Sequence, residues 1–395
     1  MSTVILVRYA EIALKGDNRP FFEAQLRTNL QLALGFPAEK VKQFHTQYAV
    51  YPGKGEMEAA LARIGKVFGV AWYAPAKTCA STLDAIVKAG ESLASAWIDP
   101  KKTFAVRAQR SDKSLPFTSV DVERALGGAV IDATGAAVNL GDPQQVLYIS
   151  VSVEGSYLYT EKHPGPGGLP VGSSGKVLSL ISGGIDSILA SYLVAKRGAQ
   201  VDYLHFHIFP DKSQVLASKI PAIANQLAAY CLSQDLYLSS YLPFESRALG
   251  LKKDDVGYEL VLFRRVMVRV AAALAERHGY QALVVGDSLG QVASQTMENI
   301  IAVDEAVSMP VFRPLIGMDK VEVIDQVKSI GLFREATARY KDCCSIIAPH
   351  PVTRAYLPIV RRIERDRGLA QVVREMAEQV EVVEVGQDVP DRIKG

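Results

Sequence analysis

The chain has too few of several residue types to fit the more specialised protein classes. Four cysteines in 395 residues do not make a disulfide scaffold, and no Cys-x-x-Cys or Cys/His spacing suggests zinc. No apolar run is long enough to span a bilayer. The opening Met-Ser-Thr-Val-Ile-Leu-Val-Arg lacks the basic start and cleavage site of a signal peptide and reads as a strand. Neither charge sign dominates: 44 Lys and Arg face 42 Asp and Glu, for a net charge of +2. That balance neither demands nor excludes a nucleic acid, so only local patches can decide. There is no internal repeat and no Walker A loop: Gly175-Lys176 runs into Val177, with no glycine at the upstream position. Membrane-spanning and disulfide-rich secreted classes are thereby excluded, and a reducing cytoplasm is the expected compartment. Cys79 and Cys231 stand alone and read as small buried hydrophobes, whereas Cys343 and Cys344 are adjacent.

Three regions emerge, long enough together for two or three cores. Residues 1–60 open with a strand over Val4–Tyr9, then an amphipathic helix over Arg19–Leu34 and a strand near Tyr48–Tyr51. Residues 61–165 read as a small α+β domain: apolar turns, helices over Thr82–Ala96 and Ser119–Ala133, and strands over Thr103–Ala108 and Gln145–Val153. A helix over Glu56–Ile64 straddles the two. Pro, Gly and Ser crowd residues 163–175, which predicts a linker over 166–175. From Lys176 to 395, strands alternate with helices: Ser187–Lys196, Val201–His207, Ser213–Cys231, Asp235–Leu242, Tyr258–His278 and Ala282–Gly286. That alternation predicts a doubly wound parallel sheet with its ligand at the strand C-termini. Residues after about Arg365 read as helical and charged.

The most informative stretch is Leu178-Ser-Leu-Ile-Ser-Gly-Gly-Ile-Asp-Ser187. An apolar strand ends in a glycine turn at the start of a helix, where backbone N–H groups and the helix dipole favour an anion. An ordinary strand–turn–helix junction would look the same. Ser-Gly-Gly-x-Asp-Ser resembles the PP-loop of ATP pyrophosphatases, which split ATP between the α and β phosphates. The resemblance implies that Ser182, Gly183, Gly184 and Ser187 cradle pyrophosphate and that Asp186 organises Mg²⁺, a cation suited to carboxylate and phosphate oxygens.

Further motifs lie in the same region. Gly286-Asp287-Ser288-Leu289-Gly290 through Thr296 follows an apolar strand, and Gln295 could bond a nucleobase or cap a helix. Arg264, Arg265 and Arg269 share a helix; neighbours diverge by about 100°, so one of the first two could face phosphate and the other solvent. Cys343 and Cys344 sit in a Pro-containing loop with Arg339, Lys341 and His350 nearby, cations that raise the thiolate fraction. A sulfur nucleophile or a structural role would both fit, and spacing does not choose between the two thiols.

Four motifs in order carry a fuller resemblance: Arg8-Tyr9-Ala10-Glu11-Ile12-Ala13-Leu14-Lys15-Gly16, Gly168-Leu-Pro-Val-Gly172 with the PP-loop, the Gly286–Thr296 segment, and Asp342-Cys343-Cys344. The chain is similar to the ThiI family, the tRNA 4-thiouridine synthetases. The resemblance implies a ferredoxin-like N-terminal domain, a THUMP domain and a PP-loop domain. It also implies the reaction: Mg-ATP adenylates a tRNA uridine, and persulfide sulfur displaces AMP. ATP contacts would fall on Leu180, Ile181, Arg264, Gly286 and Gln295 besides Ser182–Ser187, with Asp186 essential and Cys344 catalytic.

The sequence departs from the family in places. Ala10 replaces a usual Gly, and Arg264 stands where a relative has Lys. Because the sequence ends at Gly395, no C-terminal rhodanese domain is expected. Sulfur would then come from a cysteine desulfurase or a separate rhodanese, or with Cys343 as resolving thiol, and a role in thiazole synthesis is not expected. Lys101, Lys102, Arg107, Arg110 and Lys113, around the Phe104 strand, are the RNA-binding candidates once the THUMP resemblance is admitted. A homodimer fits the distance between a tRNA acceptor end and its modified base. Two other readings compete: a PP-loop ligase or amidating enzyme for a small acceptor, and a non-catalytic RNA-binding protein.

Overall fold

The computed structural model describes residues 3–9, 11–341, 343, 347 and 350–386. Ala10, Asp342 and Cys344 lie outside the described residues. The chain forms two compact units, one ending at Gly168 and the other starting at Leu169.

The first unit is built on an eight-stranded sheet in the order β2-β3-β1-β4-β7-β6-β5. Its strands are β1 (Thr3–Tyr9), β2 (Val41–Phe44), β3 (Gln47–Val50), β4 (Val70–Cys79), β5 (Phe104–Arg110), β6 (Gln145–Ser152) and β7 (Gly155–Tyr159). A two-residue β8 (His163–Pro164) pairs with β4. Alternation along β1 feeds two cores. Ile5 and Val7 pack with residues of α1 (Arg19–Leu34) and α2 (Met57–Ile64), while Val4 and Leu6 join Phe44, Tyr157 and Tyr159. A third core lies with α3 (Leu83–Trp97) and α4 (Ser119–Thr134), the latter begun by a Thr118/Asp121 capping box.

The helices Arg19–Leu34 and Ser119–Ala133 were legible in the sequence to within a residue, but four strands were not: β2, β4, β7 and the two-residue β8. β2 is a short partner to β3, and β7 returns from β6 through a tight turn at Val153-Glu154. β4 replaces the expected apolar turns, and its Pro75 argues against a strand. On its outer side, β4 pairs with β8 at Trp72 and Tyr73 and with β7 from Lys77 onward. Pro75 falls in the gap, where no ladder donor is required on that side.

The second unit holds a six-stranded sheet in the order β13-β12-β9-β10-β11-β14. The strands are β9 (Lys176–Leu180), β10 (Gln200–His207), β11 (Asp235–Ser240), β12 (Ala282–Val284), β13 (Val311–Phe312) and β14 (Glu381–Glu384). All pairings are parallel except that of β14, which runs antiparallel to β11. The expected doubly wound architecture is therefore present, with an antiparallel edge strand contributed by the charged C-terminal stretch that reads as helical. The helices are α5 (Ile185–Lys196), α6 (Lys212–Leu216), α7 (Lys219–Cys231), α8 (Leu242–Ala248), α9 (Glu259–His278), α10 (Met297–Asp304), α11 (Lys320–Ser329), α12 (Phe333–Thr337), α13 (Leu357–Asp366) and α14 (Leu369–Glu378). The single helix expected over Ser213–Cys231 is two. Pro221 could not sit inside a continuous helix, so the chain stops at Ala217 and restarts with Ser218 capping Ile220 N.

Helix α9 is the central support. Leu262, Phe263, Val266, Val270 and Leu274 are buried in the main core of this unit. Arg265 corrects the sequence expectation that one arginine of the pair faces solvent. It is 1% exposed, pairs with Glu364 at 2.8 Å and Glu305 at 2.8 Å, and donates to the Ala302 carbonyl. At the N-terminal edge of the sheet, buried Asp202 accepts from Gln234 N, Asp235 N and Tyr280 Oη and pairs with Lys176.

Candidate active site

β9 ends at Leu180, and the N–H of Ile181 bonds Leu204 O at 2.9 Å, so the sheet register carries the chain to the start of the glycine turn. Gly183 has φ +79°, where other residues are strained, and a Cβ there would lie 2.6 Å from Ile220 Cδ1. Gly184 is the N-cap of α5 and supplies no side-chain cap, so the first-turn N–H groups are left for another acceptor. Ser187 reaches back: its Oγ accepts from Ser182 N at 3.2 Å and donates to Gly184 O at 3.1 Å. Farther along α5, Ser191 bonds Ser179 of β9 at 2.8 Å and fixes the helix against the strand.

Asp186 projects from the first turn of α5. Lys320 Nζ lies 2.7 Å from both of its carboxylate oxygens, and Gln291 Nε2 donates to it at 3.2 Å. Lys320 is the first residue of α11, placed there by a capping box between Asp319 and Glu322. Gly286, just past β12, has a different purpose from a flexible hinge. A Cβ there would lie 2.7 Å from both Asp186 C and Ser187 N, so only glycine lets the strand end pass the start of α5.

Beside them, Asp287 is 3% exposed and bonds Arg264 at 2.8 Å through both oxygens and Arg313 Nε at 3.2 Å. Burial opposes its charge, but the two guanidinium groups prevail and hold the carboxyl below its ordinary value. Arg264 Nη1 also approaches Ser294 Oγ at 3.4 Å, so this arginine faces the same cleft as Asp186. Gln295 donates to Asp287 at 3.4 Å, and its own Oε1 is buried with no partner.

These side chains surround one cleft of about 300 Å³, lined among others by Leu180, Ser182, Asp186, Ser187, Arg264, Gly286 and Gln295. Gly183 and Gly184 form the turn beside it. A smaller cavity of about 50 Å³ adjoins, lined by Leu180, Ile181, Ser182, Leu204, Phe206, Met267 and Cys343. Cys343 is therefore a buried residue next to the glycine turn. After the cysteines the chain returns through Val352, whose N–H bonds Gly257 O at 2.9 Å. Buried Asn299 donates to Val352 O at 2.8 Å. Among the described residues, no group of three or more His, Cys, Asp or Glu could hold a metal ion.

Sequence reasoning missed Lys320, Gln291, Asp287 and Arg313. The one signal for Lys320 was the Asp319-x-x-Glu322 box, which starts a helix after an apolar run. Among the RNA-binding candidates, Lys101 and Lys102 precede β5 and are exposed, while exposed Lys113 follows it. β5 is about 20 Å long, so the two groups lie at opposite ends rather than in one patch. Arg107 and Arg110 spend guanidinium donors on the carbonyls of Leu140, Leu115 and Phe117. No helix among the described residues is long and apolar enough to cross a membrane.

Comparison with known proteins identifies the family. The sequence matches the family described as Thiamine biosynthesis protein (ThiI) over residues 172–369, the ThiI ferredoxin-like domain over 4–74 and the THUMP domain over 80–161. A probable tRNA sulfurtransferase of Moorella thermoacetica is 37% identical over 98% of this chain and 98% of its own length. One from Thermus thermophilus is 40% identical over 92% of this chain and 89% of its own. The crystal structure of a 4-thiouridine synthetase–RNA complex with bound ATP superposes with a TM-score of 0.85 at 28% identity, covering 98% of this chain and 100% of that one. The chain belongs to the ThiI family.

Proposed function

We propose that the chain is an ATP-dependent tRNA sulfurtransferase that makes 4-thiouridine, and that adenylation takes place in the cleft at the head of β9. One juxtaposition carries this reading. Asp186 and Gln295, whose Oε1 has no partner, line one cleft; the glycine turn at an uncapped helix start lies beside it, and Lys320 pairs with Asp186. The turn suits a triphosphate, the lysine suits the charge that develops as pyrophosphate leaves, and the buried acceptor suits the amino group of adenine. Arg264, held in place by Asp287, adds an oriented donor.

Asp186 is the residue that would hold Mg²⁺, a cation that favours carboxylate and phosphate oxygens. When bound, it supplies charge neutralisation at the departing pyrophosphate. The uridine O4 attacks the α-phosphorus and pyrophosphate leaves. The terminal sulfur of a persulfide on Cys344 then attacks C4, and AMP departs with the oxygen. A second thiolate, Cys343 or an external thiol, cleaves the S–S bond of the adduct. Thiouridine is released and a disulfide remains, which an external thiol reduces. The persulfide itself would be loaded by a cysteine desulfurase or a separate rhodanese. The first unit, through its THUMP domain and the exposed Lys101, Lys102 and Lys113, would hold the tRNA, and a homodimer would let one chain bind while the other reacts.

The test is incubation with unmodified tRNA, Mg-ATP and a persulfide donor, read by the near-ultraviolet absorbance of 4-thiouridine. Product is expected from the wild type and not from Cys344→Ser, and Asp186→Asn should stop AMP formation. AMP release without a thiolated product would point instead to a ligase for a small acceptor.

A further inference from the structure

A buried histidine outside the steps above joins the nucleotide turn to the segment that carries the cysteines. His205, near the end of β10, is 0% exposed. Its Nδ1 lies 2.7 Å from the Ile181 carbonyl and its Nε2 lies 2.7 Å from Tyr340 Oη. A carbonyl only accepts, so the ring proton is on Nδ1, and Nε2 accepts from the phenol. Burial pushes the ring pKa down to about 4, so the ring stays neutral and keeps this tautomer. One imidazole therefore spans from the residue before Ser182 to the residue three before Cys343.

A second contact lies on the same path. Lys219 Nζ donates to the carbonyls of Ala336 and Ala338 at 2.7 and 2.8 Å, and its Cε would lie 3.2 Å from a Cβ on Gly183. The stretch from Ala336 to Tyr340 is thus fastened at both ends by side chains that flank the glycine turn. The turn does not depend on this arrangement for its own shape. Ile181 N–H bonds Leu204 O, and Ser182, Gly184 and Ser187 bond one another.

We propose that His205 is a positioning residue that, through Tyr340, sets the cysteine-bearing segment against the nucleotide turn, and so serves sulfur transfer rather than adenylation. The proposal rests on the reading that a cysteine of this pair delivers the sulfur. Removing the Tyr340 hydroxyl should loosen the incoming arm and leave the turn intact.

Tyr340→Phe deletes that hydroxyl and keeps the ring, whose centroid lies 5.5 Å from that of His205 and 6.0 Å from that of Phe209. His205→Asn is the second variant: it retains a donor for the Ile181 carbonyl but is too short for Tyr340. Pyrophosphate release and 4-thiouridine formation are followed separately, with full-length enzyme, tRNA, Mg-ATP and a cysteine desulfurase with cysteine as sulfur source. In each variant, pyrophosphate release should stay within about twofold of wild type while thiouridine formation slows by about tenfold, the worth of one positioning hydrogen bond. A fall of both steps by the same factor, or no change in either, would overturn the proposal. If either variant fails to fold, the other decides. Thiolation that survives Cys344→Ser together with Cys343→Ser in the otherwise wild-type chain would sink the underlying reading instead, and that result needs neither positioning variant.

Discussion

At the level of single residues, the site depends on atoms that are missing as much as on those present. Gly286 is the clearest case, because a methyl group there would meet backbone rather than a movable side chain. Gly286→Ala should cost about 1–3 kcal/mol of stability and raise the KM for ATP by prising α5 from β12, checked by thermal melting and by AMP formation at varied ATP. His205 makes a pH prediction. Its folded value of about 4 lies below its ordinary 6.5. Stability from its neutral form is complete above that ordinary value and is lost as pH falls toward the folded one, because the unfolded chain takes up the proton first. At about 1.4 kcal/mol per pKa unit, the loss across this window is about 3 kcal/mol, and His205→Asn should flatten that part of a denaturant-midpoint profile. Asp287 acts at lower pH, with its contribution falling away only below the ordinary carboxylate range. The PP-loop residues were legible because a turn, a helix start and an acid are local features. Asp287 and Lys320 were not, since an aspartate between two arginines and a lysine reaching across from another helix are facts of proximity.

Among the elements, α9 bears the most. It packs the core with its apolar face, aims Arg264 into the cleft and uses Arg265 to tie itself to α10 and α13. Arg265 lies one position past Arg264, and the rotation of about 100° between them separates a site residue from a structural one. Arg265→Met should destabilise the second unit by about 3–5 kcal/mol, because Glu364, itself buried, loses its main partner. Arg265→Met combined with Glu364→Leu should recover much of that loss, and equilibrium unfolding of the single and double variants measures it. The elements found from sequence were those with a strong period and a capping residue, such as α3 behind Thr82 and α4 behind Thr118. Those missed were short or contained a proline. β2 and β7 exist because a neighbouring strand supplies their partners, and β14 because β11 offers an open edge to Val382 and Val383.

Over the whole molecule, each unit has its own sheet and its own buried clusters. Residues 1–168 expressed alone should therefore unfold cooperatively and bind tRNA with an affinity that falls steeply with salt. Circular dichroism on heating and binding measured across a salt series check both. Non-cooperative melting would show that this unit needs the rest of the chain. Substituting Lys101 and Lys102 together, or Lys113 alone, would reveal which end of β5 meets phosphate. The amino-acid order by itself determined the family, the wound parallel sheet, the glycine turn and the acid beside it. Each follows from neighbours in sequence, whose periodicity, turn chemistry and helix starts act over a few residues. Only the tertiary structure decided that Lys320 meets Asp186, that Arg265 turns inward, and that His205 meets Tyr340 across 135 residues. Those pairings are made when strands and helices pack, and packing distances are not written in sequence separation.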